Sequence, residues 1–463
     1  MTRARYWGAL APGLLFAAPA LAEEAARPTI NGADTGFVIM CAMFVMLMTV
    51  PGLAMFYAGL SRAKNVLSVM THVVATCAVV AVAWVIIGYS LAFDEAGGFQ
   101  PVIGGLSKAF FANITQESVT GTVSEYAYAM FMLMFAGITP AIIVGAFAER
   151  IRFSAVLIFM ALWLVLNFAP MAHMGWSANG WAFQMGAQDF AGGNVVHLNA
   201  GVAALVAALV IGPRMGYGST MMAPHNLTLT TTGACLLWVG WLAFCGGCAL
   251  VVNGFSSLVM LNTFLGGAGG ALGWMAAERA HRGRASTLGA VSGLVAGLVG
   301  ITPACGFVGP AGSLAVGFLS ALPCVWAVES LKHRFGYDDS FDAFGVHGVG
   351  AIAGCLLTSV FALPVLGGLG FAEGRDLVSQ LGVQALLLAF SAAYSAVSTW
   401  ICLKIADALV GLRVSPEDEQ MGLDLASHGE RGYRLDDAQL GEAVTAAPGA
   451  AATVGVLKPA GAE

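Results

Sequence analysis

The chain has 463 residues, of which 58% are hydrophobic and only 10% charged, and its mean hydropathy is +0.80. A soluble domain carries about 25% charged residues, so this composition describes a polytopic membrane protein and excludes a soluble globular one. The net charge of −6, without any basic run, argues against a nucleic-acid partner.

Residues 1–22 read as a signal peptide, with Arg3 and Arg5 ahead of an apolar run and a small-residue cleavage site at Ala20-Leu21-Ala22. The mature chain then starts near Glu23, outside the cytoplasm, which places the protein in a bacterial inner membrane. Apolar windows of about 20 residues, enough to span a bilayer, fall at 36–59, 66–93, 126–148, 153–172 and 194–212. A second set falls at 227–252, 257–277, 286–305, 311–331, 343–366 and 379–409. The expected fold is therefore all-α, with eleven transmembrane helices in a membrane domain over 23–409. Lys and Arg support this count. Arg62, Lys64, Arg150, Arg152, Arg214, Arg279, Arg282, Arg284, Lys332 and Arg334 fall in alternate loops, and only Lys108 and Arg375 in the others, so positive-inside implies N-out and C-in.

The chain also suggests two halves. Asp189 precedes His197 by eight residues at the start of the fifth window, and Asp339 precedes His347 by eight at the start of the tenth. Five spans is an odd number, so a duplicated five-helix half would sit inverted, with a long eleventh helix added at the end. Transporters built this way place their sites near the midplane between the repeats. Residues 410–463 form a charged cytoplasmic tail with a helix-breaking Pro416 and a turn at Ser427-His428-Gly429. From about 436 its Ala/Gly/Pro-rich composition suggests disorder.

His197 and His347 carry the strongest functional signal. A lone histidine in an apolar span is commonly a satisfied core residue, but two at matching positions would meet at the axis of an inverted repeat. There, neutral imidazoles can donate, accept and relay protons in an apolar passage. The remaining histidines lie near span ends or in loops and receive no role. Asp189 admits two readings. It could attract a cation directly, or it could accept backbone N–H bonds from Gly192, Gly193 and the start of the fifth helix, where the macrodipole favours negative charge; the second is preferred. Phe131 and Phe135 are one turn apart on the third span, Trp176 lies in the outer loop before Asp189, and Phe244 lies near the outer end of the sixth span. Each alone suits lipid contact or packing; together at one level they could cage a small cation. The nine cysteines lie in apolar stretches, so a disulfide framework is not expected. The CxxC spacing of Cys245 and Cys248 reads better as small apolar filling than as a redox or metal pair, and no cofactor is expected.

At these residues the sequence resembles the ammonium transporter family, which includes the Rhesus-type proteins, and it resembles the ammonium branch more than the Rhesus branch. The matching stretches are Met48-Thr49-Val50-Pro51-Gly52 with Phe56-Tyr57-Ala58-Gly59-Leu60, and Gly145-Ala146-Phe147-Ala148-Glu149-Arg150. Asp189-Phe190-Ala191-Gly192-Gly193 with His197, and Phe344-Gly345-Val346-His347-Gly348, match as well, and the similarity runs from about 34 to 433. The resemblance implies ammonium uptake rather than enzyme activity. Trp176, Phe131 and Phe135 would recruit NH4+, the stacked pair Phe135 and Phe244 would close the pore, and Asp189 would stabilise the site and promote deprotonation. NH3 would then pass the twin histidines His197 and His347, with the proton following by a separate route; Asp339 would be the pseudo-equivalent acid. It further implies a homotrimer and a PII-type signal protein at the cytoplasmic face, and leaves methylammonium open as a second substrate. Two positions depart from the family pattern: the serine usual at the recruitment site is Cys248, and the residue three before it, often Asn, is Cys245. A sensor built on the same fold, and a redox enzyme with haem b held by the two histidines, are the alternative readings.

Overall fold

The computed structural model describes residues 29–433, so the signal-peptide reading over 1–22 and the tail beyond 433 lie outside the described residues. Among the described residues ten helices are long and apolar enough to cross a membrane. They are α1 (Gly32–Leu60), α2 (Ala63–Phe93), α3 (Glu125–Phe147), α4 (Phe153–Gln184), α5 (Gly193–Ile211), α6 (Leu227–Gly247) and α7 (Gly254–Arg282), followed after one shorter helix by α9 (Pro310–Phe335), α10 (Phe344–Phe361) and α11 (Leu377–Val410). The shorter helix, α8 (Thr287–Ile301), has 15 residues, about 22 Å at 1.5 Å per residue. It falls short of the expected 286–305 span because the chain turns before Pro303. The carbonyls released there are used at once: Thr302 O accepts from Ala191 N at 3.2 Å and Pro303 O from Phe190 N at 3.1 Å. The early stop of α8 thus holds the segment around Asp189.

Starts and stops follow local chemistry. Asn31 caps α1 through Ala33 N and Asp34 N, and reciprocal capping boxes start α7 (Asn253, Ser256) and α11 (Asp376, Ser379). Asp34 then binds a hairpin the sequence did not announce, β1 (Val119–Thr120) and β2 (Val123–Ser124), accepting from Thr122 Oγ1 at 2.6 Å and from Val252 N at 2.8 Å. Pro416 does not break a helix but opens one, α12 (Pro416–Met421), at the first position, where a missing N–H costs nothing. The expected turn at 427–429 is the end of α13 (Leu423–His428), closed by Gly429 in the left-handed region. His72, expected near a span end, is buried well inside α2, its ring over Phe153 at 5.8 Å and edge-on to His428 at 6.4 Å.

At the end of the bundle that carries most Lys and Arg, the connections are locked by buried charge. Arg214 donates to both carboxylate oxygens of Asp338 (2.7 and 2.9 Å) and reaches Glu149 at 3.4 Å, while Arg62 pairs with Glu149 at 2.6 Å. Arg150, fully buried, donates to Gly212 O, Ser340 Oγ and Asp338 O. This network joins the α1–α2, α3–α4, α5–α6 and α9–α10 connections, and it holds Glu149 at a φ of 74°. The segment after α11 docks on it: Glu419 pairs with Arg413 at 2.8 Å and accepts from Met215 N, and Asp424 accepts from Ser68 N at 2.7 Å. Burial raises the pKa of Asp424 above the usual carboxylate range.

Burial alone would also raise that of Asp338, but the hydrogen bonds from Arg214 and the charge of Arg150 outweigh it and hold the carboxyl below the usual range. Removing one partner of a buried ion pair costs about 3–5 kcal/mol, so Asp338→Asn is expected to lower Tm sharply in detergent. The wild-type contribution is present above about pH 3.9 and is lost as pH falls through the lower folded value. Thermal melts of both proteins should therefore stay apart from pH 7 to about 4 and begin to converge below about pH 3.9.

Candidate functional site

The site is assembled where α5 and α10 begin. Each opens with a π-helical turn, Gly193–Leu198 and Phe344–Gly348, and each turn carries one of the two histidines. π-Turns cost hydrogen-bond geometry and concentrate at functional sites. In both, an aspartate satisfies the free N–H groups of the first turn. Asp189 Oδ2 accepts from Asn194 N at 3.0 Å and Val195 N at 3.1 Å, and Asp339 Oδ2 accepts from Phe344 N at 2.7 Å. The bonds to Asp189 thus come from the start of the fifth helix, one of the expected donor sets, at Asn194 and Val195. Gly192 instead makes the turn, at a φ of +104° that side chains rarely adopt.

α10 starts at the basic end, beside Ser340 and the Lys332–Asp342 ion pair, whereas α5 starts on the opposite side, under the aromatic cluster. The two helices touch backbone to backbone just past the histidines: a Cβ on Gly201 would lie 2.3 Å from the Gly348 nitrogen. That contact lets the rings meet. His197 Nδ1 lies 3.2 Å from His347 Nδ1, with ring centroids 5.3 Å apart and planes tilted by 21°. Both rings are buried, at 1% and 5% exposure. One nitrogen donates and the other accepts; Nε2 of His197 has no partner among the described residues. The direct contact leaves no room for an iron between these two nitrogens.

Above the histidines lies a wall of rings. Phe135 and Phe244 stack at 4.0 Å and 16°, fully buried; Phe131 meets Phe135 edge-on at 5.1 Å, and Trp176 does so at 5.6 Å. Trp176 Nε1 reaches the Asp189 carbonyl at 3.4 Å, which ties the outermost ring to the acid's backbone. Cys248 caps the end of α6, one residue after Gly247, whose missing side chain makes room for the Phe131 ring. The Cys248 thiol donates back to Phe244 O at 3.3 Å, so only the weak acceptor face of its sulfur remains free. Cys245 is fully buried and both thiols are free. Below the histidines, His347 lines a vestibule of about 800 Å³ that opens at the basic end, with Tyr57, Arg214, Trp274, Asp342 and Val346 among its walls.

The structure therefore gathers Phe131, Phe135, Trp176, Phe244, His197 and His347 into one path, with Asp189 beside it and Cys248 at its rim. Asp339 stands apart, buried at the basic end below α10. One residue in the path escaped the sequence reading. Trp241 lies flat on His197, centroids 5.0 Å apart at 21°, and is pinned through Nε1 to Thr302 Oγ1 at 2.8 Å. Its spacing of three residues before Phe244, on one helical face, was the available signal.

The chain and its fold have counterparts among known proteins. The family profile described as Ammonium Transporter Family matches residues 36–433. The chain belongs to that family. An ammonium transporter of Bacillus subtilis strain 168 is 42% identical over 405 residues, 87% of this chain and 98% of its own, and one of Aquifex aeolicus strain VF5 is 41% identical over 91% of this chain and 97% of its own. Among solved structures, a sensor Amt protein superposes with a TM-score of 0.80 at 29% identity, over 86% of this chain and 98% of its own. Saccharomyces cerevisiae Mep2 superposes with a TM-score of 0.77 at 32% identity, over 84% and 92% respectively.

Any side chain at Gly201 must push α5 from α10 in this ammonium transporter homologue. Gly201→Val is expected to cost about 1–3 kcal/mol, to separate the two imidazoles and to abolish ammonium uptake by proteoliposomes, whereas Gly98→Ala, in an exposed loop with open space around it, leaves uptake in place.

Proposed function

We propose that the protein takes up ammonium by capturing NH4+ at the aromatic rim, deprotonating it there and conducting NH3 past the histidine pair to the vestibule. The observation that carries this reading is the closed stack of Phe135 and Phe244 directly above two buried imidazoles joined by one hydrogen bond. A bare cation in such a passage loses several kcal/mol of hydration with only ring faces and two nitrogens to replace it. Neutral NH3 loses far less. Selection by charge alone would admit K⁺, which has nearly the charge and size of NH4+; release of a proton excludes it.

The roles follow from position. Trp176, Phe131 and Phe135 hold the cation by cation–π attraction, about 0.5–2 kcal/mol per good contact, with Cys248 contributing a weak acceptor. Asp189 lies beside this site and organises it, stabilising the cation and favouring loss of its proton. His197 and His347 hydrogen-bond NH3 in an otherwise apolar wall, and the proton crosses by its own route. In the bilayer we place the basic end in the cytoplasm, with eleven spans, N-out and C-in, two inverted five-helix repeats and α11 outside them, in a bacterial inner membrane after removal of the signal peptide. We further infer a homotrimer, and a PII-type partner that approaches the vestibule across the docked segment of α12 and α13.

His197→Ala is expected to lose ammonium-evoked current or to admit K⁺; full current with K⁺ still excluded, in solid-supported-membrane recordings, would falsify the histidine role. Cys248→Ser replaces a thiol by a stronger hydrogen-bonding hydroxyl, one bond of about 0.5–1.5 kcal/mol. The half-saturating ammonium concentration should fall two- to tenfold, and an unchanged value would remove Cys248 from the site.

A further inference from the structure

A water-sized cavity lies beside Asp189, and neither of the twin histidines lines it. It measures about 10 Å³ and is walled by Asp189, Asn194, Cys355 on α10, and Gln384, Leu387 and Leu388 on α11. That volume matches the room a single water needs. The hydrogen bonds around it are distributed unevenly. Gln384 is fully engaged: its Nε2 donates to Gln188 O at 2.9 Å and Cys355 O at 3.3 Å, and its Oε1 accepts from Gln188 N at 3.0 Å. Asp189 Oδ1 and Asn194 Oδ1, in contrast, are both buried without a hydrogen-bond partner among the described residues, and Asn194 as a whole is only 7% exposed. Asp189 thus has one oxygen saturated by the helix start and a second with nothing to accept from.

We propose that this cavity binds one ordered water that donates to Asp189 Oδ1 and Asn194 Oδ1 and accepts from the Cys355 thiol. The count closes on chemistry. Water has two protons for the two orphaned oxygens, and its lone pairs face the one S–H in the wall, which makes the three bonds typical of a buried water. A bare cation fits worse, since two acceptors and a leucine-lined wall cannot replace its hydration shell. Asn194 and Cys355 are then positioning residues: they hold the water that completes the hydrogen bonding of the Asp189 carboxylate. The ionisable side chains facing Asp189 are the Cys355 and Cys248 thiols, with His197 eight residues along its own segment. Donors to a carboxylate favour its charged form, so the bound water keeps Asp189 ionised while ammonium gives up its proton.

This inference rests on the reading of Asp189 as the acid of the transport site, and the experiment separates the two. Ammonium-evoked currents are recorded from pH 4.5 to 8 for wild type, Cys355→Val, Cys355→Ser and Asp189→Asn in proteoliposomes. Valine fills the cavity and removes the S–H, so the carboxylate loses its donor and the acid midpoint of the current should move up by about one pH unit. Serine keeps a donor and should restore the midpoint towards that of wild type. A Cys355→Val profile that coincides with wild type, with Asp189→Asn inactive, overturns the water and leaves the role of Asp189 standing. An Asp189→Asn protein as active as wild type overturns both. Should Cys355→Val fail to fold, a high-resolution density map of the wild-type protein decides: a peak between the two oxygens supports the site, and a dry cavity beside visible neighbouring waters sinks it.

Discussion

A carboxylate oxygen seated on the free N–H groups of a π-helical turn is the contact on which the candidate pore depends. Two helices of this bundle begin inside it, and in an apolar surrounding each unsatisfied N–H at their starts would cost several kcal/mol. Asp189 meets that cost for α5 and Asp339 for α10. With the starts secured, the wide turn that follows can aim its histidine across the gap. Gly201 removes the last obstacle by letting the two backbones touch. The His197–His347 contact is thus the product of three conditions, two flanking His197 and one preceding His347, and none of the three suffices alone.

The same economy of polar groups shapes the rest of the path. The rings of Phe131, Phe135, Trp176 and Phe244 offer quadrupoles instead of hydrogen bonds, which attract a cation without holding its hydration shell. Trp241 then covers one face of His197 and leaves its edge for bonding. On the function proposed above, such a passage discriminates by what a molecule must shed to enter. That suits a substrate able to leave its charge behind as a proton.

At the basic end the logic reverses. Glu149, Arg150, Arg214 and Asp338 are buried as a closed network, so charge there joins four connections instead of meeting water. Because α12 and α13 dock through Glu419 and Asp424 on these same connections, the segment after α11 is mechanically continuous with the rim of the vestibule.

Much of this was readable in one dimension. A composition with 10% charge and windows of about 20 apolar residues dictate a helical bundle in lipid, since a window of that length fits a helix, which satisfies its own backbone there, and is twice what a barrel strand needs. The matched spacing from Asp189 to His197 and from Asp339 to His347 identified the residues that pair, because the same local geometry needs the same separation. What the spacing could not convey was that α8 stops at Ile301 or that Trp241 lies on His197. Those outcomes turn on partners remote in sequence: the carbonyls of Thr302 and Pro303 are taken by the Asp189 segment, and Thr302 Oγ1 anchors Trp241. Local sequence determined which segments become helices and which polar groups they must carry into the membrane. Only the tertiary structure decided where those groups meet, because a buried donor is satisfied by whatever acceptor the packing brings within about 3 Å.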